Sequence, residues 1–166
     1  LLGSALVPFL RTGGHEVFTL TRHSPGSRYE IQWDIKKQQL QAESLEGFDA
    51  VIHLAGESIM GRWTHDKKER IMQSRVQGTR LLVNTLKSLE RPPAVFISSS
   101  AVGYYGDRGS ETLSESASQG DGFLAEVCEA WEAEARKAES VTRVVLARTG
   151  IVMSAKGGAL AQMLPP

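Results

Sequence analysis

The residues best equipped for chemistry lie in four short stretches, each where a helical or strand-like run begins or ends. Gly3 opens a helical segment, and Thr21-Arg22 closes the run Glu16–Thr21. Leu54–Trp63 follows Asp49–His53, and Ser98–Tyr105 follows Ala94–Ile97. Arg22 has Thr21, His23 and Ser24 around it and no acid before Glu30. A guanidinium there either grips a phosphate with its fork of donors or is a solvated loop charge. Tyr104 and Tyr105 follow the serines in a glycine-flanked stretch. A phenol with a pKa of about 10 is a poor base at neutral pH unless a neighbour helps it, so these two are either proton donors or packing groups. Glu57 and Trp63 either touch a substrate or anchor their loop. Cys128, on an apolar stripe, reads as core.

These residues need elements to hold them. Leu6, Phe9 and Leu10 have the i, i+3, i+4 spacing of a buried helix face over residues 3–12, and Gly13-Gly14 is a helix stop. Glu16–Thr21 alternates and is rich in β-formers, and Ile31–Trp33 fits a short edge strand. Asp49–Gly56 is a short apolar run of the kind buried on both faces of a parallel sheet. Asp66–Glu90 reads as a long helix with Leu82, Val83, Leu86 and Leu89 at helical spacing, stopped by Pro92-Pro93. Ala94–Ser98 is a further buried strand. Leu124, Val127, Cys128, Trp131, Ala135 and Ala138 form one stripe of an amphipathic helix, and Thr142–Ala147 is the last strand. Strands alternating with helices imply βαβ units and a doubly wound α/β parallel sheet. Ligands of such a sheet bind at the carboxyl ends of its strands, where the four stretches fall.

Composition narrows the function. The chain has 166 residues, 41% hydrophobic and 23% charged, with 19 basic residues against 19 acidic ones. One domain is expected, and neutrality argues against nucleic acid or an anionic membrane as partner. No apolar run approaches the roughly 20 residues that span a bilayer. A single cysteine suits a reducing compartment, and a cytoplasmic location is expected. No Cys/His cluster has metal-ligand spacing. The sequence starts without Met and stops at Leu164-Pro165-Pro166, so it reads as a piece of a longer protein.

In this order of elements Gly3 takes the place of the last glycine in a dinucleotide-binding loop, or is a packing glycine. Thr21-Arg22 takes the place that faces the adenosine ribose. An acid there binds the 2′-hydroxyl and an arginine accommodates a 2′-phosphate, so the residues favour the phosphorylated dinucleotide. Together, Gly3, Gly13–Arg22, His53–Glu57, Arg62-Trp63, Ser74–Thr79, Ser98–Gly106, Gly120–Glu132, Arg148–Val152 and Lys156–Leu160 resemble the extended short-chain dehydrogenase/reductase superfamily. Within it they are similar to the NAD-dependent epimerase/dehydratase branch of the 39U1 type.

The resemblance implies a Rossmann-type domain for NADP(H), lacking here its first strand and a carboxyl-terminal substrate region. On that pattern Gly3 belongs to the pyrophosphate loop, and Thr21 and Arg22 hold the 2′-phosphate. His53, Leu54, Ala55 and Gly56 line the adenosine and pyrophosphate side. Arg75, where relatives carry an Asn, is either a cofactor contact or a solvated charge. Ser98 and Ser100 lie beneath the nicotinamide, Ser100 matching the catalytic serine. The superfamily's Tyr-x-x-x-Lys pair is missing: the matching positions are Leu124 and Cys128, or Phe123 and Val127. A catalytic role then falls to Ser100 with Tyr104 or Tyr105.

The expected activity is NADP(H)-dependent oxidoreduction or epimerisation of a small polar, sugar-nucleotide-like substrate. A non-catalytic NADP(H) sensor is the alternative. A methyltransferase-like domain is disfavoured, because it needs an acid where Thr21-Arg22 stands. The two long helices resemble those through which the superfamily forms homodimers. The isolated segment is expected to be marginally stable.

Overall fold

In chain order the elements are α1 (Leu2–Thr12), β1 (Thr19–Thr21), β2 (Glu30–Asp34), β3 (Gln39–Leu40), β4 (Ala50–His53), α2 (His65–Ser88), β5 (Val95–Ala101), α3 (Phe123–Arg136), β6 (Arg143–Thr149), β7 (Met153–Ser154) and α4 (Gly158–Met163). This computed structural model describes residues 1–163, and the terminal Leu164-Pro165-Pro166 lies outside the described residues. Two units emerge: Leu1–Trp33 with the residues from Thr149 onward, and Asp34–Arg148.

In the first unit β1 and β2 pair in parallel, Thr19 against Glu30 and Thr21 against Gln32. The expected strand at Ile31–Trp33 is present as part of β2, but it is the middle strand of the order β1-β2-β3 and not an edge. β1 is shorter than the alternating run Glu16–Thr21. α1 ends as its glycines require: Gly14 sits at φ 82°, and the Gly13 and His15 N–H groups donate to the Leu10 carbonyl. The buried face of α1 differs from the expectation. Phe9 is 72% exposed, while Gly3, Leu6, Val7 and Leu10 are half-buried. Those four hold the full i, i+3, i+4, i+7 spacing, and Phe9 falls about 100° away from their centre.

The second unit carries the central sheet, in the order β4-β5-β6. β4 and β5 run parallel, Ala50 against Val95 and His53 against Ser98. α2 is the crossover between them. Thr64 caps it by accepting from the Lys67 N–H, and Asp66 in its first turn suits the positive end of the helix dipole. After its last turn the Glu46 carboxylate accepts the Glu90 and Arg91 N–H groups at 2.7 and 3.1 Å. The expected stripes are buried, Leu82, Val83 and Leu86 on α2 with Leu89 just beyond it, and Val127, Cys128, Trp131 and Ala135 on α3 with Ala138 just beyond it, except that Leu124 is only half-buried. α2 and α3 pack on each other, and Phe96 on β5 is wholly enclosed. Each such large side chain contributes about 1.5–3 kcal/mol. The fold is thus α/β and Rossmann-type. β5 is longer than the apolar run suggests, because Ser98, Ser99 and Ser100 continue the strand as buried residues.

Candidate functional site

The carboxyl end of β5 is where the side chains converge. Ser98 and Ser100, two apart on a strand, share a face. Ser98 is fully buried, and its Oγ donates to the Ser99 carbonyl at 3.3 Å. Ser100 is 2% exposed and its Oγ donates to Glu132 Oε1 at 2.6 Å. Glu132 comes from the buried side of α3. Arg148, near the end of β6, grips the same carboxylate with both arms of its fork, Nε on Oε1 and Nη2 on Oε2, each at 2.8 Å. Its remaining nitrogen, Nη1, donates to Tyr105 Oη at 3.0 Å and to the Glu115 carbonyl at 3.1 Å. The guanidinium carbon also stands 3.5 Å from the Tyr104 ring centroid, and the two tyrosine rings meet edge to face at 5.5 Å. Three separate segments therefore join in one chain, Ser100–Glu132–Arg148–Tyr105.

The electrostatics follow from this geometry. Burial opposes the Glu132 charge, but the hydrogen bonds from Arg148 and Ser100 and the charges of Arg148 and Arg136 outweigh it, so its pKa lies below the usual glutamate value. The Glu132 hydrogen bond in turn raises the Arg148 pKa, against the effect of burial. The pair is a buried, bidentate salt bridge, fully ionised at neutral pH.

Tyr104 and Tyr105 occupy a single 3-10 turn, Val102–Tyr105, packed on α3. Its seat depends on Gly120, whose N–H donates to the Tyr104 carbonyl at 3.0 Å. A Cβ on Gly120 would stand 1.9 Å from the Tyr105 carbonyl oxygen, so only glycine fits. The turn also sets Gly103 against Leu124. Of the positions matching the absent Tyr/Lys pair, Cys128 is buried with its thiol pKa raised by burial, and Phe123 meets Trp63 edge to face.

A second cluster lies at the end of β4. His53 is 3% exposed and its ring meets Trp131 edge to face at 6.3 Å. Burial, reinforced by the Arg75 charge, lowers its pKa to about 4, so it is neutral at ordinary pH. Arg75, on α2, lies over Trp131 at 5.1 Å and donates from Nη1 to the Glu57 and Ile71 carbonyls. Its guanidinium fills the space beside Gly56: a Cβ there would be 3.1 Å from Cζ. Glu57 binds Lys67 at 2.6 Å, and its N–H donates to Ser74 Oγ. Trp63 Nε1 donates to the Ile59 carbonyl at 2.7 Å. Both residues thus brace their loop. Leu54 and Ala55 are half-buried beside them.

Gly3, Thr21 and Arg22 belong to the first unit. Gly3 lies in the first turn of α1, Thr21 ends β1 and accepts from the His23 N–H at 3.3 Å, and Arg22 is exposed. Among the described residues no cluster of His, Cys, Asp and Glu can hold a metal ion, and no helix is long and apolar enough to cross a membrane.

Sequence reasoning missed Glu132 and Arg148 as site residues. The signal for Glu132 was present: it lies one turn after Cys128 and three residues before Ala135, inside an apolar stripe. A carboxylate there must find a cation. Nothing in the sequence says that the cation is Arg148.

A family model described as the NAD dependent epimerase/dehydratase family matches residues 1–161. An epimerase family protein of Mycobacterium bovis is 38% identical over 167 residues, which is 99% of this chain and 55% of that protein. The human epimerase family protein SDR39U1 is 34% identical over 99% of this chain and 56% of its own length. The chain spans about half the length of the curated relatives it matches. The crystal structure of human SDR39U1 (isoform 2) with NADPH superimposes with a TM-score of 0.85 at 32% identity, over 98% of this chain and 55% of that one. A nucleoside-diphosphate sugar epimerase from Corynebacterium glutamicum superimposes at 0.84 and 39% identity, over 98% of this chain and 34% of that one. Fold, motif order and relatives agree, and the chain belongs to the NAD dependent epimerase/dehydratase family of extended short-chain dehydrogenases/reductases.

Proposed function

We propose that the protein is an NADP(H)-dependent oxidoreductase or epimerase acting on a small polar substrate, with sugar nucleotides the first class to test. The observation that carries the choice of phosphorylated cofactor is the end of β1, where Thr21 is followed by an exposed Arg22 and no acid stands before Glu30. The NADPH bound by human SDR39U1 supports the same choice. The residues also fit a pyrophosphate. Gly56 leaves bare backbone at the end of β4, and the Arg75 guanidinium packs where a Cβ would stand, which sets a cation with phosphate-matching donors beside that backbone. The family pattern assigns cofactor binding to Gly3, Thr21 and Arg22 in the first unit and to His53, Leu54, Ala55, Gly56, Arg75 and Ser98 in the second. The cofactor would supply hydride chemistry; the protein's part is binding, orientation and exclusion of water. Ser100 and one of Tyr104 and Tyr105 would face the reacting oxygen. The reading places the protein in the cytoplasm and pairs two copies through α2 and α3.

Titration of the full-length protein with NADPH and NADH, followed by nicotinamide fluorescence, tests this. Preference for NADPH that disappears in Arg22→Asp supports it; indifference to both nucleotides defeats it. One observation favours a second reading, a non-catalytic NADP(H) sensor. Ser100 spends its proton on Glu132, and no Tyr/Lys pair stands on α3. Tight NADPH binding without oxidation across aldehydes, ketones and sugar nucleotides would select it.

A further inference from the structure

Resting on the reading above, we infer that Tyr105 is the hydrogen-bond donor to the ligand's oxygen, and that Arg148 and Glu132 are positioning residues that aim it. The argument is an inventory of donors and acceptors. A guanidinium has donors only, so in the 3.0 Å contact between Arg148 Nη1 and Tyr105 Oη the phenol accepts. Its own proton is therefore directed elsewhere. Arg148 cannot swing away, because its other two nitrogens are committed to Glu132 at 2.8 Å each. Glu132 is committed in turn by Ser100 at 2.6 Å. The result is a phenol whose lone pair is occupied by a fixed cation and whose hydrogen is available, on a turn at the carboxyl end of β5.

Tyr104 is distinguished from its neighbour by the same cation. Arg148 covers the Tyr104 ring at 3.5 Å and stands 5.0 Å from that of Tyr105. Tyr104 therefore serves as the surface against which the guanidinium lies. Ser100, with its proton on Glu132 and only 2% exposure, anchors the carboxylate. The ligand chemistry that suits such a donor is an oxygen that accepts without donating, that of an aldehyde or ketone.

The probe is 4-dimethylaminocinnamaldehyde, whose absorption band moves to longer wavelength when its carbonyl oxygen accepts a hydrogen bond. It is titrated into the full-length protein with and without NADPH. The expected result is a red shift in the wild type and in Tyr104→Phe, lost in Tyr105→Phe, with NADPH affinity unchanged in both variants. Arg148→Lys keeps the charge and loses the fork, so its shift should be diminished. Tyr105→Phe removes one oxygen and keeps the ring, so the experiment survives even if the Arg148 variant does not fold. A red shift that persists in Tyr105→Phe overturns the proposal, as does its absence from the NADPH-bound wild type. Failure of NADPH to bind, with the Tyr105-dependent shift still present, overturns the cofactor reading and leaves the donor assignment standing.

Discussion

Glu132 and Glu134 lie two residues apart on α3, 2% and 6% exposed, each held by an arginine. Two positions on a helix differ by about 200°, and the neighbourhoods differ accordingly. Glu132 looks toward the carboxyl ends of the strands. Its hydrogen-bond partners are Ser100, buried, and Arg148, whose side chain is 13% exposed, while the exposed Arg136 stands farther off at 3.9 Å. Glu134 is held by Arg80 from α2 at 2.6 Å and by Lys137 at 2.8 Å, with side chains 43% and 57% exposed. For both acids burial opposes ionisation and the hydrogen bonds from the cations outweigh it, so both pKa values are lowered. The shifts therefore do not separate a candidate site from a structural clasp. The enclosure of the cation does, together with what the network reaches next: Glu132 leads through Arg148 to a tyrosine at the strand ends, and Glu134 leads to water.

The largest expected effect is that of Arg148→Met. It leaves the buried Glu132 carboxylate with only the exposed Arg136, 3.9 Å away, and breaking a buried pair costs about 3–5 kcal/mol. Because water reaches Arg148, about 3 kcal/mol is expected from urea unfolding. Glu132→Met combined with Arg148→Met should recover most of that loss, since the stranded charge is gone. A double variant no better than the single one would mean that the network acts through shape and not through charge.

Acidification comes next and separates two groups by window. His53 has a folded pKa of about 4, below its ordinary 6.5. As pH falls through about 6.5 only the unfolded chain takes up the proton, so stability is lost progressively down to about 4, by on the order of 3 kcal/mol. Glu132 has a lowered folded pKa. Its contribution is present above about 4.3, the ordinary glutamate value, and fades as pH falls through the folded value. Urea unfolding of wild type and Glu132→Gln between about pH 7 and 3 should give curves separated by a constant gap down to about 4.3 and converging below it. Convergence already near pH 6 would move Glu132 out of the ionised network.

Much of this arrangement was legible beforehand and part was not, for reasons visible in particular residues. The stripes of α2 and α3 were readable because burial repeats every three to four residues, and β4 because it is a bare apolar run. Ser99 and Ser100 read as a loop, since serines carry no hydrophobic signal, yet they continue β5 as buried residues beyond its pairing with β4. Phe9 was misread because two good helical spacings compete in α1. Tyr105 was a candidate from position alone. That it is the tyrosine held through its oxygen depends on Arg148, 43 residues away, and no local pattern encodes a contact of that separation.

The smallest effects concern the outer acid, where the comparison is easiest to break. Arg80→Met leaves Glu134 with Lys137, so the loss should stay below about 1 kcal/mol. Salt sharpens the contrast further. Between about 0.1 M and 1 M sodium chloride the screening length falls from about 10 Å to about 3 Å. The Arg80–Glu134 coupling, measured by a double-mutant cycle with Arg80→Met and Glu134→Gln, should then shrink toward zero, because Arg80 stands in solvent. The Arg148–Glu132 coupling, measured in the same way, should change little, because ions do not enter between groups 2.8 Å apart and enclosed by α3 and β6. Equal salt sensitivity would place both glutamates at the surface in solution, and the case for an enclosed donor network at Tyr105 would fall with it.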